Sequence, residues 1–146
     1  MRKFVNNYKN MYEFKNQVRV RYADADPMNV VYYGNYAQYF EVGRVESLRA
    51  LGISYKVIED LGIMLPVVEL NVKYLRPARY DDLLTITTQL RELPIDHRIT
   101  FHQEIHNEEG KLLTIGTVKL YFMDKNLGNR ASMPPFLAEK LSSYFS

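Results

Sequence analysis

The chain has 146 residues, 47% of them hydrophobic and 25% charged, and its net charge is only +2. This length and composition are typical of one globular domain with its own core. The near-neutral charge gives no indication of nucleic-acid binding. The absence of cysteine excludes disulfides, a thiol nucleophile and Cys-ligated zinc. Because neither a signal peptide nor an apolar run of membrane length is evident, we expect a cytoplasmic protein, with residues 1–12 as an N-terminal extension and residues 13–146 as a single domain.

The first half of the chain predicts one strand followed by two helices. Residues 14–22 alternate with the period of a strand, and one face of it holds Val18, Val20 and Tyr22. Residues 35–51 contain no proline and predict a long helix, with Asn35 as N-cap and Gly52 as the stop. Its inward stripe, at helical spacing, consists of Tyr36, Phe40, Gly43 and Ser47. Because Gly43 and Ser47 are small, the helix can pack closely against another surface. A short helix is predicted over residues 54–61.

The second half of the chain predicts strands joined by short loops, which favours antiparallel pairing. The period-two segments are residues 66–75, 83–91, 98–106 and 112–123. Residues 107–111 predict a glycine-containing hairpin loop, and residues 134–144 predict a closing helix. The strand at 112–123 is apolar on both faces, which indicates a second covering surface, most simply another subunit. Coverage by the closing helix, or a central place in a small barrel, is the alternative.

Few charged or titratable residues in the rest of the chain indicate a site. His97, His102 and His106 lie on or beside one predicted strand. The last two are about 13 Å apart at strand rise, so they cannot share a metal ion without a bend. No metal site is therefore predicted, and we expect surface or packing histidines. Glu41 and Arg44 are spaced for a surface ion pair on the long helix.

The segment YADADPMNVVYYGNY, residues 22–36, places two acids and a proline before an apolar run that enters the long helix. A helix N-terminus offers unpaired N–H groups and a positive dipole end, which suit an oxyanion. A carboxylate beside it can act as a general base or as a nucleophile. Together these groups are sufficient for hydrolysis of an activated ester. A turn or capping role for the acids is the alternative that the residues alone leave open.

A longer stretch, RVRYADADPMNVVYYGNYAQYFEVGRVESLRALG, resembles the 4-hydroxybenzoyl-CoA thioesterase-like family of hotdog-fold acyl-CoA thioesterases. The later PVVELNVKYLRPARYDDLLTITT resembles the next block of that family, so the similarity covers roughly residues 15–125. It implies an α+β hotdog fold, an antiparallel five-stranded sheet wrapped around one long central helix. It also implies an acyl-CoA thioester hydrolase that needs no metal or redox cofactor and forms a homodimer or homotetramer through its sheet edges.

The resemblance assigns roles within the acidic segment. Asp26 matches the catalytic carboxylate, as base or nucleophile, whereas Asp24 matches a neighbouring position that is not catalytic. Tyr33 matches the residue whose backbone amide polarises the thioester carbonyl, and Gly34 could add a second N–H donor. Asn35 matches the helix start, where it would contact the substrate. The apolar run before Tyr33 is expected to be the buried lead-in that holds the helix N-terminus against the site.

Three arginines are implied as contacts for the nucleotide phosphates of coenzyme A, and they could serve the neighbouring subunit's site: Arg76, Arg79 and Arg98. Outside this reading, the loops at 76–82 and 96–98 are solvated connections. One departure is Asn29, where the family usually has Gly. Because Asn tolerates positive φ, we expect the turn to persist. Two other functions stay open: a hotdog dehydratase or hydratase, which pairs a carboxylate with His, and a non-catalytic acyl-CoA-binding protein.

Overall fold

The computed structural model describes residues 10–145. In chain order its helices and strands are β1 (Tyr12–Arg19), α1 (Tyr36–Arg49), α2 (Tyr55–Asp60), β2 (Ile63–Met64), β3 (Val67–Tyr74), β4 (Leu83–Leu90), β5 (Arg98–His106), β6 (Leu112–Tyr121), β7 (Met123–Asp124) and α3 (Pro135–Leu141). Five strands form one antiparallel sheet in the order β1-β4-β5-β6-β3, and β2 pairs with β7. The predicted α+β fold, an antiparallel five-stranded sheet around one long helix, is confirmed.

The core lies between α1 and one face of the sheet, because the inward stripe of the helix meets alternating side chains of the central strands. It consists of two hydrophobic clusters. The one around Phe40 includes the loop residues Val31 and Ala78, and it supports the N-terminal half of α1. The other, around Leu48 and Phe101, is closed by α3. The loop that enters α1 is therefore packed onto the core.

The helix lies unusually close to the sheet at two glycines. A Cβ built on Gly43 would lie 2.7 Å from side-chain atoms of Ile86 and Thr88. A Cβ built on Gly116 of β6 would lie 2.7 Å from the ring of Phe40. The predicted close approach of the inward stripe to another surface is confirmed. It is possible because each glycine has no side chain between the helix and the sheet.

The structure corrects the bounds of the first predicted strand. The strand predicted over residues 14–22 spans Tyr12–Arg19. Tyr22 opens a 3₁₀ turn that runs to Asp24, and its side chain is 81% exposed instead of sharing the inward face. The chain leaves the sheet because Asp24 binds back onto Arg21. Most of the predicted extension, residues 1–9, lies outside the described residues. The two-residue strands β2 and β7 were not predicted, because they are too short to show a period.

The strand predicted to need a second covering surface, β6, is an interior strand between β5 and β3, and only one of its faces lies on the core. The apolar surface left open is instead on β3, an edge strand in which every residue except Val72 is exposed. A long exposed apolar edge is a template for pairing with another chain. The predicted self-association thus shifts from β6 to β3 and stays a prediction. Within residues 10–145, no helix is long and apolar enough to cross a membrane.

Candidate active site

Asp26 closes a tight turn between β1 and α1. Its N–H donates to the Val30 carbonyl at 2.8 Å, and its own carbonyl accepts from the Asn29 N–H at 2.9 Å. Its Oδ1 accepts from the amides of Met28 at 2.9 Å and Val30 at 3.3 Å. Asn29 has a φ of 66°, so the expectation that Asn can replace Gly in this turn is confirmed. Among the described residues Oδ2 has no hydrogen-bond donor, which leaves it available to a substrate or a water.

The apolar run after the turn fastens the loop to the connection between β3 and β4. The N–H of buried Val31 donates to the Ala78 carbonyl at 2.8 Å, and Val30 forms an isolated bridge with Arg79. The Tyr36 hydroxyl of α1 accepts from the Ala78 N–H at 3.1 Å. Only Val31 of the predicted lead-in is fully buried, and Tyr32 is exposed. These bonds nevertheless connect the loop that carries Asp26 with the first turn of α1.

Asp24 has a different environment from Asp26, because it is buried, with 4% of its surface exposed. Its Oδ2 accepts from the Arg21 N–H at 3.1 Å and the Tyr39 hydroxyl at 2.9 Å, and its Oδ1 accepts from the Arg21 guanidinium at 3.1 Å. Burial alone would raise the pKa of Asp24, but the hydrogen bonds from Arg21 and Tyr39 outweigh it and hold the pKa below its usual value. Asp24 is thus an ionised, fully bonded strut between the loop and α1.

The N-terminus of α1 presents backbone donors to solvent. The residues before it, Tyr33–Asn35, form a 3₁₀ turn that runs into the helix. Within residues 10–145 the N–H groups of Tyr33 and Gly34 have no acceptor. The Tyr33 side chain is 63% exposed, and its carbonyl accepts from the Tyr74 hydroxyl at 3.4 Å. Asn35 precedes α1 but does not cap it with its side chain, which instead donates to the Asp24 carbonyl at 2.8 Å.

The structure brings two of the three predicted arginines to this end of the molecule. Arg76 and Arg79 lie in the connection between β3 and β4, where Arg79 bridges Val30 and Arg76 donates to the Leu112 carbonyl at 3.0 Å. Arg98 begins β5 at the opposite end of the sheet, about 26 Å from the site end at strand rise. Its guanidinium lies 2.9 Å from Asp96, and these hydrogen bonds lower the pKa of Asp96. A role for Arg98 at the site would require a neighbouring subunit.

The histidines are separate from the acidic loop. His102 and His106 alternate with buried residues of β5, so they lie on the outer face of the sheet, away from α1. Burial lowers the pKa of His102, and the charge of Arg91 lowers it further. The ring of His97 packs edge-on against Tyr121, with centroids 4.8 Å apart. Within the described part of the chain, no cluster of three or more His, Asp or Glu residues could hold a metal ion.

The surface ion pair expected between Glu41 and Arg44 is wrong. Arg44 is only 5% exposed, and no carboxylate of residues 10–145 lies within 4.0 Å of its guanidinium. Its Nη1 lies 3.4 Å from Oε1 of buried Gln103, and its Nε has no hydrogen-bond partner. The i, i+3 spacing alone suggested a surface ion pair. Position 44, however, directly follows Gly43 and lies one turn after Phe40, and both of these residues belong to the inward stripe. That stripe was the signal for burial.

Two of the grooves formed by residues 10–145 bear on the location of the site. A groove of about 310 Å³ follows α1 and has walls from Ala37, Gln38, Glu41, Arg44, Val67, Leu70 and Val118. A larger one, of about 800 Å³, lies on the outer face of β1, β4 and β5 and includes neither Asp24 nor Asp26. Because α1 starts beside the unbonded amides of Tyr33 and Gly34, the smaller groove is the one associated with the candidate site.

Comparison with known proteins agrees with this fold. A family model described as the Thioesterase-like superfamily matches residues 20–141. The chain is 31% identical over 115 residues to the putative acyl-CoA thioesterase YneP of Bacillus subtilis. The aligned region covers 79% of this chain and 83% of that protein. It is 33% identical over 111 residues to the acyl-CoA thioester hydrolase YbgC of Escherichia coli O6:H1, over 76% of this chain and 82% of that protein.

The same relationship holds for solved structures. A DHNA-CoA thioesterase from Staphylococcus aureus superposes with a TM-score of 0.84 and 32% identity, over 90% of this chain and 89% of that one. The family model covers most of the residues that the sequence resemblance covered, so that resemblance is confirmed. The chain therefore belongs to the Thioesterase-like superfamily, and its domain has the hotdog fold.

Proposed function

We propose that the protein hydrolyses acyl-CoA thioesters at the loop that joins β1 to α1. One observation carries the proposal. Asp26 has a carboxylate oxygen without a hydrogen bond, and the same hydrogen-bonded loop carries the backbone N–H groups of Tyr33 and Gly34, which have no acceptor within residues 10–145. The acyl-CoA thioesterases among the relatives support the same chemistry. The protein is an enzyme in this proposal, and its substrate is a small thioester.

The thioester carbonyl oxygen accepts hydrogen bonds from the Tyr33 and Gly34 amides at the positive end of α1. Both donors stabilise the negative charge that develops on this oxygen as the carbonyl carbon is attacked. Asp26 acts in one of two ways. As a nucleophile it forms a mixed anhydride and expels the CoA thiolate, after which water cleaves the anhydride. As a base it takes a proton from the water that attacks the carbonyl carbon, after which the C–S bond breaks and the departing CoA thiolate takes up the proton. Either route yields the free acid and coenzyme A.

The nucleotide phosphates of coenzyme A are assigned to Arg76 and Arg79, whose connection is bonded to the site loop through Ala78 and Val31. Arg98 is assigned to the site of a neighbouring subunit, and Asn35 to the substrate side of the helix start. A homodimer or homotetramer is part of this proposal, because the exposed β3 edge favours pairing between chains. A dehydratase or hydratase is disfavoured, since no histidine of the described chain lies on the Asp26 side of the sheet.

The test follows free CoA thiol across a panel of aromatic, short and long acyl-CoA and carrier-protein thioesters. We expect turnover of at least one thioester, and Asp26→Asn should reduce kcat by about a hundredfold or more, because the reacting carboxylate is lost. Asp60→Asn is the matched control, since Asp60 is exposed on α2 and pairs with Lys56. Absence of turnover, or full activity of Asp26→Asn, would contradict the proposal. Saturable binding without turnover would indicate the non-catalytic alternative.

A further inference from the structure

The groove along α1 begins at Ala37, three residues after the proposed oxyanion donor Gly34, and ends at Arg44. The helix residues that line it run from Ala37 to Arg44, about 10 Å at helical rise. The facing strand β3 runs the opposite way. Its last residue, Tyr74, contacts Tyr33 at the helix start, and Val67 at its beginning lines the same groove as Arg44. A group bound at the Tyr33 amide can therefore extend along the helix toward Arg44.

Arg44 is a buried cation whose bonding capacity is unfilled. No carboxylate of the described chain approaches its guanidinium within 4.0 Å, and its Nε has no partner. Gln103 accepts one hydrogen bond from the guanidinium, at 3.4 Å. The Tyr55 hydroxyl also interacts with it: burial raises the pKa of Tyr55, and the charge and side-chain hydrogen bond of Arg44 oppose that rise. The Gln103 amide nitrogen donates to the Phe40 carbonyl at 2.8 Å and to Thr88 at 2.9 Å, which keeps its oxygen turned toward Arg44. Buried charges in proteins are normally paired, so this guanidinium is set up to receive an anion.

We propose that this groove binds the acyl group of the substrate and that Arg44 binds a carboxylate at the far end of that group, a step that rests on the proposed function. The apolar wall formed by Val67, Leu70 and Val118 suits the methylenes between the two ends. The planar guanidinium suits a carboxylate because it can donate two parallel hydrogen bonds. The protein is then selective for acyl-CoA thioesters whose acyl chain ends in a carboxylate.

Glu41 is the acidic residue that lines the groove, and its substitution gives a second test of the same selectivity. Its side chain is exposed and lies one turn closer to the helix start than Arg44, and the two groups are not ion-paired. A carboxylate at this position repels an anionic acyl chain. Glu41→Gln should therefore raise the ratio of kcat/KM for carboxylate-ended over methyl-ended substrates of the same length.

The experiment compares pairs of acyl-CoA thioesters of equal chain length, one ending in methyl and the other in carboxylate, over a range of lengths. For the best length we expect kcat/KM to favour the carboxylate by about tenfold or more. Arg44→Met should lower that ratio by about tenfold, because the lost hydrogen bonds are made only to the carboxylate-ended member of each pair. Arg49→Met is the matched control on the same helix, since Arg49 is exposed, pairs with Glu46 at 3.3 Å and does not line the groove.

Thermal unfolding separates a ligand-binding arginine from a structural one. Replacing an unpaired buried charge by an apolar side chain of similar size is often neutral or stabilising, so Arg44→Met should keep or raise Tm. The free dicarboxylic acid of the best chain length should raise Tm of the original protein but not that of Arg44→Met. A lower Tm together with equal losses on both thioesters, or dissociation of an oligomer with such losses, would identify a structural arginine and overturn the proposal.

The two proposals fail in different ways. If no thioester is hydrolysed, the proposed function is wrong, and calorimetric binding of the same thioester pairs still measures the carboxylate preference and its loss in Arg44→Met. If both members of each pair are hydrolysed at similar kcat/KM, and neither Arg44→Met nor Glu41→Gln changes the ratio, only the assignment of Arg44 is wrong. Glu41→Gln keeps the buried arginine, so it still tests whether the acyl chain lies along this groove if Arg44→Met does not fold.

Discussion

Asp24 and Asp26 are two residues apart, but their carboxylates have different surroundings. Asp24 is buried and accepts hydrogen bonds from Arg21 and Tyr39, whereas Asp26 keeps one oxygen unbonded. A buried carboxylate that accepts several hydrogen bonds stabilises the fold while it is ionised. Asp26, in contrast, uses only Oδ1 to accept hydrogen bonds within the turn. The family resemblance separates the two positions in the sequence, but the hydrogen bonds that each carboxylate accepts are visible only in the structure.

Asp24→Asn should lower the free energy of unfolding at pH 7 by about 1–3 kcal/mol, because charge-assisted hydrogen bonds from Arg21 and Tyr39 are weakened. The folded-state pKa of Asp24 lies below its unfolded value, so its stabilisation is fully present above the unfolded pKa. It is lost as the pH falls through the lowered folded pKa.

Urea unfolding at pH 7 and again in the acid range measures the effect of Asp24→Asn. The difference between the original protein and the variant should be largest at pH 7 and shrink in acid. Asp60→Asn, which removes an exposed carboxylate in an ion pair with Lys56, is the control and should change stability by about 0.5 kcal/mol or less. A difference that grows in acid would contradict the role given to Asp24.

At the scale of single elements, α1 sets the geometry of the whole site. Its N-terminus presents the amides of Tyr33 and Gly34, its inward face fills the sheet, and its side toward β3 lines the groove that ends at Arg44. The depth at which the helix lies therefore controls how the groove and the amides are placed together. Gly43 is one of the two points of close approach, and it was recognisable in the sequence as a small residue within an apolar stripe.

Gly43→Ala tests that packing, because two effects oppose each other. Alanine favours the helix by about 1 kcal/mol over glycine. The added methyl group, however, would lie 2.7 Å from Ile86 and Thr88, which forces the helix away from the sheet. Overpacking of this kind costs about 1–3 kcal/mol, so we expect net destabilisation together with reduced thioester turnover.

Urea unfolding and the CoA-thiol assay measure both consequences of Gly43→Ala. Val42→Ala is the control, since Val42 is exposed on the same helix and its truncation should leave turnover unchanged. A more stable Gly43→Ala variant would mean that helix propensity outweighs the contacts with β4, and that the close approach is not needed.

At the scale of the whole molecule, the open apolar surface lies on β3 and not on β6. The sheet order puts β6 between β5 and β3, so its backbone is paired on both sides. β3 has a partner on one side only, and exposed Val67, Val68, Leu70 and Tyr74 flank the other. Pairing of two β3 edges would extend the sheet from one chain to the next and close the groove along α1.

Val68→Lys should disrupt that pairing, because a charged side chain on an edge strand disfavours contact with another chain. We expect the original protein to elute as a dimer or tetramer and the variant to shift toward monomer, as measured by size-exclusion chromatography with light scattering. Val68 does not line the groove, so the change acts on association. Ile95→Lys, an exposed position outside β3, is the control. An original protein that is already monomeric would rule out this interface.

Much of the molecule was predictable from local patterns. Alternation along the chain predicts β3, β4, β5 and β6 to within about two residues, and helical period with Asn35 and Gly52 predicts α1, because these signals depend only on neighbouring side chains. The resemblance of the segment around Asp26 to a known family predicts a site there, and that site stays a prediction. The tolerance of Asn29 for positive φ predicts that its turn persists, and its φ of 66° confirms this. These are properties that a short stretch of residues determines by itself.

Only the tertiary structure decided which strands are edges, which charged residues are buried and which acid is fully bonded. Strand order depends on contacts between residues far apart in the chain, so β3 and not β6 became the open edge. The i, i+3 spacing of Glu41 and Arg44 fits a surface pair, but packing against β5 buries Arg44 beside Gln103. Local patterns describe each segment, and burial arises only where distant segments meet.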